Sequence, residues 1–426
     1  MKFAFFTLGC KVNLFETQAL SQLAQARGHE IVDKDADAVI VNTCTVTSVS
    51  DHKNIRAFHK LRRDNPNAVI AACGCFAQTD PERVRATGEI DLICGTRDRA
   101  QVIGLCEQAV SGQAVQVHES EDSGFETLPA GIPHGRTRAL LKIEDGCNNF
   151  CTYCIIPYAR GRVRSMPLEA AVEETKKLAR EGYREIVVNG IEISSWGWEW
   201  KNGSRLSALL LAICQAAPEV RIRLGSLEPR TIDEDFCKTL SVCKNLCPQF
   251  HLSLQSGSDT VLKRMNRKYD TARYLESVRL LHRYFPGCAI TTDLIVGFPG
   301  ETEQEFSQSV SFLQTCELAA VHVFPYSRRK GTPAASMPDQ IEKAEKERRA
   351  AVAGETAAAL HRAYLARQLG TEHDVLFEQT EKGYFTGHTM NYVKVYCRAE
   401  NLRNEIRRVR ITALFEDGVL AEPVSA

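Results

Sequence analysis

Cys147, Cys151 and Cys154 stand at Cys-x-x-x-Cys-x-x-Cys spacing in the stretch Asp145-Gly146-Cys147-Asn148-Asn149-Phe150-Cys151-Thr152-Tyr153-Cys154. A loop of this length can wrap one metal centre, and thiolates suit iron–sulfur clusters or zinc. Zinc ordinarily takes a fourth ligand, often from a second Cys-x-x-Cys pair, and no such pair follows at a fitting distance. On a four-iron cluster, three thiolates leave one iron with an open position. An enzyme that uses S-adenosylmethionine (SAM) as a radical source needs that position. The competing reading is a buried, reduced group of cysteines or a partial zinc site.

A second set is spread through the first hundred residues. Strand-like runs at 3–8, 36–42, 68–72 and 90–94 alternate with helix-like segments at 16–27, up to about 63, and up to about 110. Repeated βαβ units predict a doubly wound parallel sheet. Cys10, Cys44 and Cys75 each fall just after a strand, and in open α/β sheets the carboxyl ends of the strands form the ligand crevice. Taken singly, each reads as a small buried hydrophobe. Taken together at equivalent strand ends, they point to a shared cluster. Cys73, two residues from Cys75, is the alternative candidate at that strand end.

The chain has 426 residues, 16 of them cysteine, with 53 basic and 53 acidic side chains. That length suggests two or three domains. Balanced charge says nothing for or against nucleic acid, so any basic surface must be local. The first six residues are too short an apolar run for a signal peptide, and no stretch approaches membrane-spanning length. The expectation is a cytoplasmic protein with no membrane association and with thiols kept reduced.

Residues 1–112 form the first predicted domain, and the polar, Gly- and Pro-punctuated segment 113–136, with an acidic patch at 119–122, reads as a linker. From 137 to 339 a second βα series has candidate strands at 138–143, 185–189, 221–225, 250–255, 290–296 and 320–324. Six such units fit an open, partial TIM-like (βα)6 barrel, whose chemistry belongs at the carboxyl-end loops. Cys147, Cys151 and Cys154 follow the first strand, as that rule asks. Residues 340–369 read as one long connector helix, with an interruption at Gly354. The tail, 370–426, alternates strand-like runs at 373–377, 383–388, 392–397 and 405–414, which suggests a small five-stranded β-barrel close to an OB-fold. Six basic residues lie between Lys394 and Arg410, including Arg398, Arg407 and Arg408, with Tyr384, Phe385, Tyr392 and Tyr396 nearby. Positive charge beside aromatic faces suits RNA; a solvated sheet face over core aromatics is the plainer alternative.

The stretch from Lys142 to Gly161 resembles the cluster loop of radical SAM enzymes, and of their methylthiotransferase branch in particular. Thr7-Leu8-Gly9-Cys10-Lys11-Val12-Asn13, Asn42-Thr43-Cys44-Thr45-Val46-Thr47 and Gly74-Cys75-Phe76-Ala77-Gln78 resemble that branch's three amino-terminal motifs, and the family's ligand precedes the x-Ala-Gln element, which favours Cys75. The resemblance covers nearly the whole chain. It implies two [4Fe–4S] clusters, SAM, a TRAM-like RNA-binding tail, and replacement of a C–H hydrogen by a CH3–S group. It also implies SAM contacts at the barrel rim, for which Gly190, Glu192, Ser226, Glu228, Gln255 and Asp293 are the candidates. Arg162, Arg164, Lys394, Arg398, Arg407 and Arg408 are candidates for substrate RNA, and no protein acid or base is expected. The partners implied are tRNA, at an anticodon-loop adenosine, an electron donor, and a sulfur donor or cluster-assembly system.

Gly9-Cys10-Lys11-Val12-Asn13 and Gly190-Ile191-Glu192-Ile193-Ser194-Ser195 look most like the branch that acts on N6-threonylcarbamoyladenosine in tRNA. The alternatives are the branch acting on N6-isopentenyladenosine, which typically has Gln-Met at Lys11-Val12, and the branch acting on an aspartate of a ribosomal protein. An iron–sulfur RNA-binding protein without catalysis is the alternative of another class.

Overall fold

The computed structural model describes residues 1–115, 124–131, 137–399 and 401–424. The α/β class, the amino-terminal parallel sheet, the central barrel and the closed tail barrel are all present. Strands Lys2–Thr7, Glu30–Ile31, Ala38–Thr43, Val69–Gly74 and Leu92–Ile93 pair in parallel, in spatial order 2-1-3-4-5. Apolar clusters cover both faces of the sheet, so its strands read as continuous apolar runs without alternation. Cys10, Cys44 and Cys75 follow three adjacent strands of this sheet. In this strand order the crevice lies where the chain reverses direction across the sheet, between the first and third strands. Cys10 and Cys44 flank that point.

Helix Lys11–Ala26 opens directly at Cys10 and is apolar on two sides. Leu20 and Ala24 enter the amino-terminal core, whereas Phe15 and Ala19 enter the core of the barrel. One helix therefore belongs to two cores, and it fixes the angle at which the first sheet meets the second domain.

The barrel strands are Arg138–Lys142, Glu185–Asn189, Arg221–Leu224 continuing as Ser226–Leu227, Gln249–Leu252, Ala289–Val296 and Ala320–Pro325, all parallel to their neighbours. The sheet is divided into three and four strands at Gly225, where the third strand changes partner. The outer strands, Arg138–Lys142 and Ala320–Pro325, leave the barrel open on one side.

Two features depart from the sequence reading. Helix Lys343–Ala366 runs through Gly354 without interruption; a mid-helix glycine costs only about 1 kcal/mol, and the helix is held along the strand Ala320–Pro325. The expected linker is packed where it is described. Leu128 and Ala130 are buried in the barrel core, the Ala130 amide donates to Glu174 at 2.9 Å, and Glu126 pairs with Arg99 at 3.0 Å. The acidic patch at 119–122 lies outside the described residues.

The tail closes as a five-stranded barrel of Glu372–Glu381, Tyr384–Thr389, Lys394–Cys397, Gly418–Pro423 and Ile406–Phe415, in that spatial order. It docks onto the amino ends of the barrel strands. Arg223 donates to the carbonyls of Met390 and Thr389, and Arg138 pairs with Glu378 at 2.6 Å. Among the described residues, no helix is long and apolar enough to cross a membrane.

Candidate active site

Local geometry shapes the Cys147–Cys154 loop before any ligand is considered. Glu144–Asp145 pairs antiparallel with Arg164–Ser165 and closes the neck of the loop. The Cys147 amide donates to the Gly161 carbonyl at 3.1 Å. Gly146 has φ 86°, and a Cβ there would run into the Arg162 carbonyl. The loop's far side is tied to the segment after helix Asp259–Arg264. Thr152 donates to the carbonyls of Met265 and Arg264, and Asn266 donates to the Phe150 carbonyl at 3.0 Å. Arg267 donates to the Cys151 sulfur at 3.3 Å and to Tyr269 at 2.9 Å. Burial pushes the Cys154 thiol up to about 12, with charge on Cys151 adding, and pushes Cys147 higher still.

In the amino-terminal set, the Cys10 sulfur lies 3.3 Å from the Asn13 side-chain oxygen. Burial, then charge on Cys10, raises the Cys44 thiol. Burial pushes Cys75 up to about 11, against the pull of Arg160 and with charge on Cys10 adding. Cys44, Cys75, Cys147 and Cys154 are thus held as thiols, and a metal or cluster bound there would displace their protons. Cys73 faces elsewhere. It is fully buried in the apolar core with Phe3, Leu20, Cys94 and Cys106.

The two sets lie near each other. Charge on Cys75 is felt at Cys154, and Arg160 stands between them. Arg160 is the last residue of the short helix Ile156–Arg160 that follows Cys154. Its Nε donates to the Cys75 sulfur at 3.3 Å, and its other nitrogens donate to Glu16 at 2.6 Å, Asp145 at 3.2 Å and Asn13 at 3.1 Å. Lys142 and Arg99 complete a buried group of two carboxylates and three cations. Burial opposes the charge of Glu16, but Arg160, Arg99 and Lys142 hold its carboxyl well below the usual range. Sequence reasoning did not single out Glu16, Arg99, Lys142, Arg160 or Arg267. Only the position of Arg160 directly after the cysteine loop hinted at its role.

The rim candidates are partly brought together. The Glu192 amide donates to Glu144 Oε2 at 2.7 Å. Burial pushes the Glu192 carboxyl up to about 7, against Arg267 and with Glu228 adding. The Glu228 amide donates to Ser194 Oγ at 2.8 Å, and its carboxylate accepts from Arg230. Asn189, 2% exposed, has neither amide atom paired, and Glu144 Oε1 and Ser195 Oγ are also buried without partners among the described residues. An unpaired buried polar group costs about 1–3 kcal/mol, so this rim has hydrogen-bonding capacity that the described residues do not meet. Gln255 sits with φ 70° and bridges strands through its backbone, donating to the Asp293 carbonyl. Ser226 is exposed. Asp293 lies within its strand, its carboxylate engaged by His251 and His322.

A Cβ on Gly190 would lie 2.8 Å from Glu144 Oε2 and 2.9 Å from the Glu144 carbonyl. Gly190→Ala is therefore expected to displace the Glu144–Glu192 contact and weaken SAM binding about tenfold or more, roughly 1.4 kcal/mol. Equilibrium binding of SAM to the variant checks this, and unchanged affinity counts against the rim assignment.

Of the RNA candidates, Arg162 is exposed and stacks over Phe150 at 4.7 Å, whereas Arg164 is turned inward onto the carbonyls of Arg160 and Arg162. Lys394 pairs with Glu381 and Asp417, and Arg398 lies over Tyr384 at 4.9 Å. Arg407 and Arg408 are 59% and 54% exposed in their side chains. A cavity of about 650 Å³ opens between helix Lys11–Ala26, the inner barrel wall and the tail. Lys11, Arg138, Arg223, Arg403, Phe385 and Tyr392 line it.

Residues 141–313 match a family model described as the radical SAM superfamily, and residues 2–95 match one described as uncharacterized protein family UPF0004. The threonylcarbamoyladenosine tRNA methylthiotransferase MtaB of Bacillus subtilis is 38% identical over 96% of this chain and 93% of its own length. MtaB of Thermotoga maritima is 36% identical over 97% and 95%. The tRNA-2-methylthio-N6-dimethylallyladenosine synthase of Carboxydothermus hydrogenoformans is 32% identical over 95% of both chains. Among solved structures, the radical S-adenosylmethionine methyltransferase TsrM of Kitasatospora setae superposes with a TM-score of 0.58 at 15% identity, over 78% of this chain and 77% of that one, which shows the shared fold.

Proposed function

The chain belongs to the radical SAM methylthiotransferase family, and on that premise we propose that it methylthiolates C2 of N6-threonylcarbamoyladenosine beside the anticodon of tRNA. The observation that carries this reading is the approach of the two cysteine sets: Arg160, on the short helix that follows Cys154, donates to the Cys75 sulfur at 3.3 Å. Methylthiolation of an aromatic C–H needs a hydrogen-abstracting centre and a sulfur-carrying centre within reach of one carbon. No side-chain base is strong enough to remove that proton.

In our reading Cys147, Cys151 and Cys154 hold one [4Fe–4S] cluster, and Cys10, Cys44 and Cys75 hold a second. When bound, the first cluster with SAM supplies the radical chemistry, and the second supplies the sulfur. The protein's own part is positioning. Arg267 and Arg160 donate to a thiolate sulfur on either side and lower the charge that each cluster presents. Glu144, Asn189 and Glu192 offer partners to the amino acid part of SAM. Helix Lys11–Ala26 and the barrel wall exclude water from the space between. The choice of threonylcarbamoyladenosine rests on relatives of that name at 36–38% identity over nearly the full chain and on Cys10-Lys11-Val12-Asn13. Each methylthio group carries away one sulfur, so turnover needs a sulfur donor or cluster-assembly partner and a one-electron donor. All sixteen cysteines are free, which agrees with a reducing, cytoplasmic setting.

Mass analysis of tRNA nucleosides from a deletion strain tests the reading. We expect N6-threonylcarbamoyladenosine to persist while its 2-methylthio derivative disappears, and the plasmid-borne gene to restore it. An undiminished methylthio derivative rejects the assignment.

The tail makes a second expectation. Arg407 and Arg408 are exposed, and their partners Glu405, Glu372 and Asp374 sit 3.5–3.9 Å away. Such surface pairs are weak, and RNA phosphates compete for them readily. Reversing both to Glu is expected to weaken tRNA binding about tenfold or more near physiological salt and to flatten its salt dependence, with SAM cleavage in the absence of tRNA unchanged. Equal tRNA affinity at matched salt moves the RNA surface elsewhere.

A further inference from the structure

Three neighbouring barrel strands bring His251, Asp293 and His322 together on the inner face of the barrel. The parallel register sets His251 opposite Thr291 and Asp293 opposite His322. Alternation along Ala289–Val296 places residues 291, 293 and 295 on the less buried, inner side. His251 Nε2 lies 3.3 Å from Asp293 Oδ2, and His322 Nδ1 lies 3.3 Å from Asp293 Oδ1. One ligand atom from each residue falls within 4.8 Å of the other two. The His251 ring is held from behind, its Nδ1 3.0 Å from Thr291 Oγ1, and the two imidazoles are stacked with centroids 5.9 Å apart.

Both nitrogen–oxygen distances exceed the usual N–H···O length of about 2.9–3.0 Å. Each ring meets a different oxygen of the one carboxylate, and the three side chains converge closely enough for a single ion to be shared among them. Two imidazoles and one carboxylate on a single face, with the remaining positions open, form a recognised donor set for a divalent transition-metal ion. With Nε2 on a metal, the far nitrogen of His251 carries the ring proton and donates it to Thr291 Oγ1, the outer support such a ligand ordinarily has. The open side faces the barrel interior, where the His322 side chain is 59% exposed and Lys11 of the facing helix is the further charge that reaches it.

We propose that His251, Asp293 and His322 bind one divalent cation, and that this cation docks the oxygen-rich side chain of the substrate nucleoside. The docking role rests on the substrate proposed above. A threonylcarbamoyl group carries a carboxylate and a hydroxyl able to chelate a hard cation, whereas an isopentenyl group carries no oxygen. The Gln255 amide donates to the Asp293 carbonyl, so the site adjoins Gln255, one of the residues proposed for the SAM rim.

Mn²⁺ is the probe, because it avoids thiolates and its free form is read directly by electron paramagnetic resonance. The full-length protein with its iron loaded anaerobically is expected to take up one Mn²⁺ per chain. Asp293→Asn and His322→Gln are each expected to weaken uptake at least tenfold. His322 is largely exposed, so its variant keeps the fold, and an unchanged thermal melt confirms it. Absence of uptake by the parent protein, or equal uptake by both variants, overturns the site. The docking role is read separately, with an anticodon stem-loop bearing N6-threonylcarbamoyladenosine and the same loop bearing adenosine. Mn²⁺ is expected to tighten only the modified loop, at least fivefold, and an equal effect on both loops overturns docking. A protein that takes up Mn²⁺ here yet leaves N6-threonylcarbamoyladenosine unmethylthiolated in cells overturns the proposed substrate and leaves the metal site standing.

Discussion

A protein with Cys10, Cys44, Cys73 and Cys75 all changed to Ala is expected to cleave SAM to 5′-deoxyadenosine and to form no methylthiolated nucleoside. The loss in the second activity is expected to be complete, at least a thousandfold, because the sulfur-carrying centre is removed outright. The geometry separates the two halves of the reaction. Cys147, Cys151 and Cys154 are held by their own loop, by the Glu144–Asp145 and Arg164–Ser165 pairing and by the segment from Arg264 to Arg267. None of these supports is an amino-terminal cysteine. Cys73 is included to close an escape route, although its side chain is buried in the apolar core, away from the other three. Its truncation leaves a small cavity at a cost of about 1 kcal/mol, which the fold tolerates. Persistent methylthiolation in this variant refutes the two-centre reading. Loss of SAM cleavage as well assigns Cys10, Cys44 and Cys75 a supporting role for the barrel site. The complementary change of Cys147, Cys151 and Cys154 to Ala is expected to abolish both activities.

The second large effect is on stability. Glu16 is fully buried, with Arg160 at 2.6 Å and Lys142 and Arg99 at 3.1 Å. Glu16→Gln keeps the shape and removes the charge, leaving three buried cations with Asp145 as their main counter-charge. Breaking one partner out of a buried ionic group typically costs about 3–5 kcal/mol, and that loss is expected in urea denaturation of the variant. The pH dependence has a definite sign. The Glu16 carboxyl is held below its ordinary value of 4.5 in the folded protein, so its contribution is present above that pH and fades as pH falls through the folded value. The parent protein should therefore lose stability on acidification below about pH 4.5 more steeply than the variant. Equal stability of the two proteins at neutral pH would show that the group is held in place by its surroundings and contributes little itself.

The placement of the two cysteine sets could be read because their signal is local: three in one loop, and three at strand ends that periodicity locates. The six barrel strands and the tail barrel were legible for the same reason, since alternation and turn residues act over a few positions. The buried charge group was not. Glu16 and Arg160 lie 144 residues apart, and Glu16 and Lys142 lie 126 apart, and a lone charge on a helix reads as a solvated one. The tail's basic residues were visible, but the cross-strand register that sets Arg410 against Glu372 and Lys394 beside Asp417 was not. Segment 124–131 looked like a linker by composition, because two apolar residues, Phe125 and Leu128, do the anchoring. The inward turn of Arg164 depends on which carbonyls a loop happens to present.

Helix Lys11–Ala26, shared by two cores, also sets a schedule during synthesis. The amino-terminal sheet leaves the ribosome first, and Glu16 emerges with it. Its closest cation, Arg160, follows 144 residues later. At about 5–20 residues per second, that interval lasts roughly seven to thirty seconds. For that time the nascent domain shows solvent a carboxylate and the apolar side chains of Phe15 and Ala19, which the finished protein encloses. The barrel's first strand and the cysteine loop then arrive together and cover both. Cys75 likewise waits through that interval without Arg160, the side chain that donates to its sulfur in the finished protein.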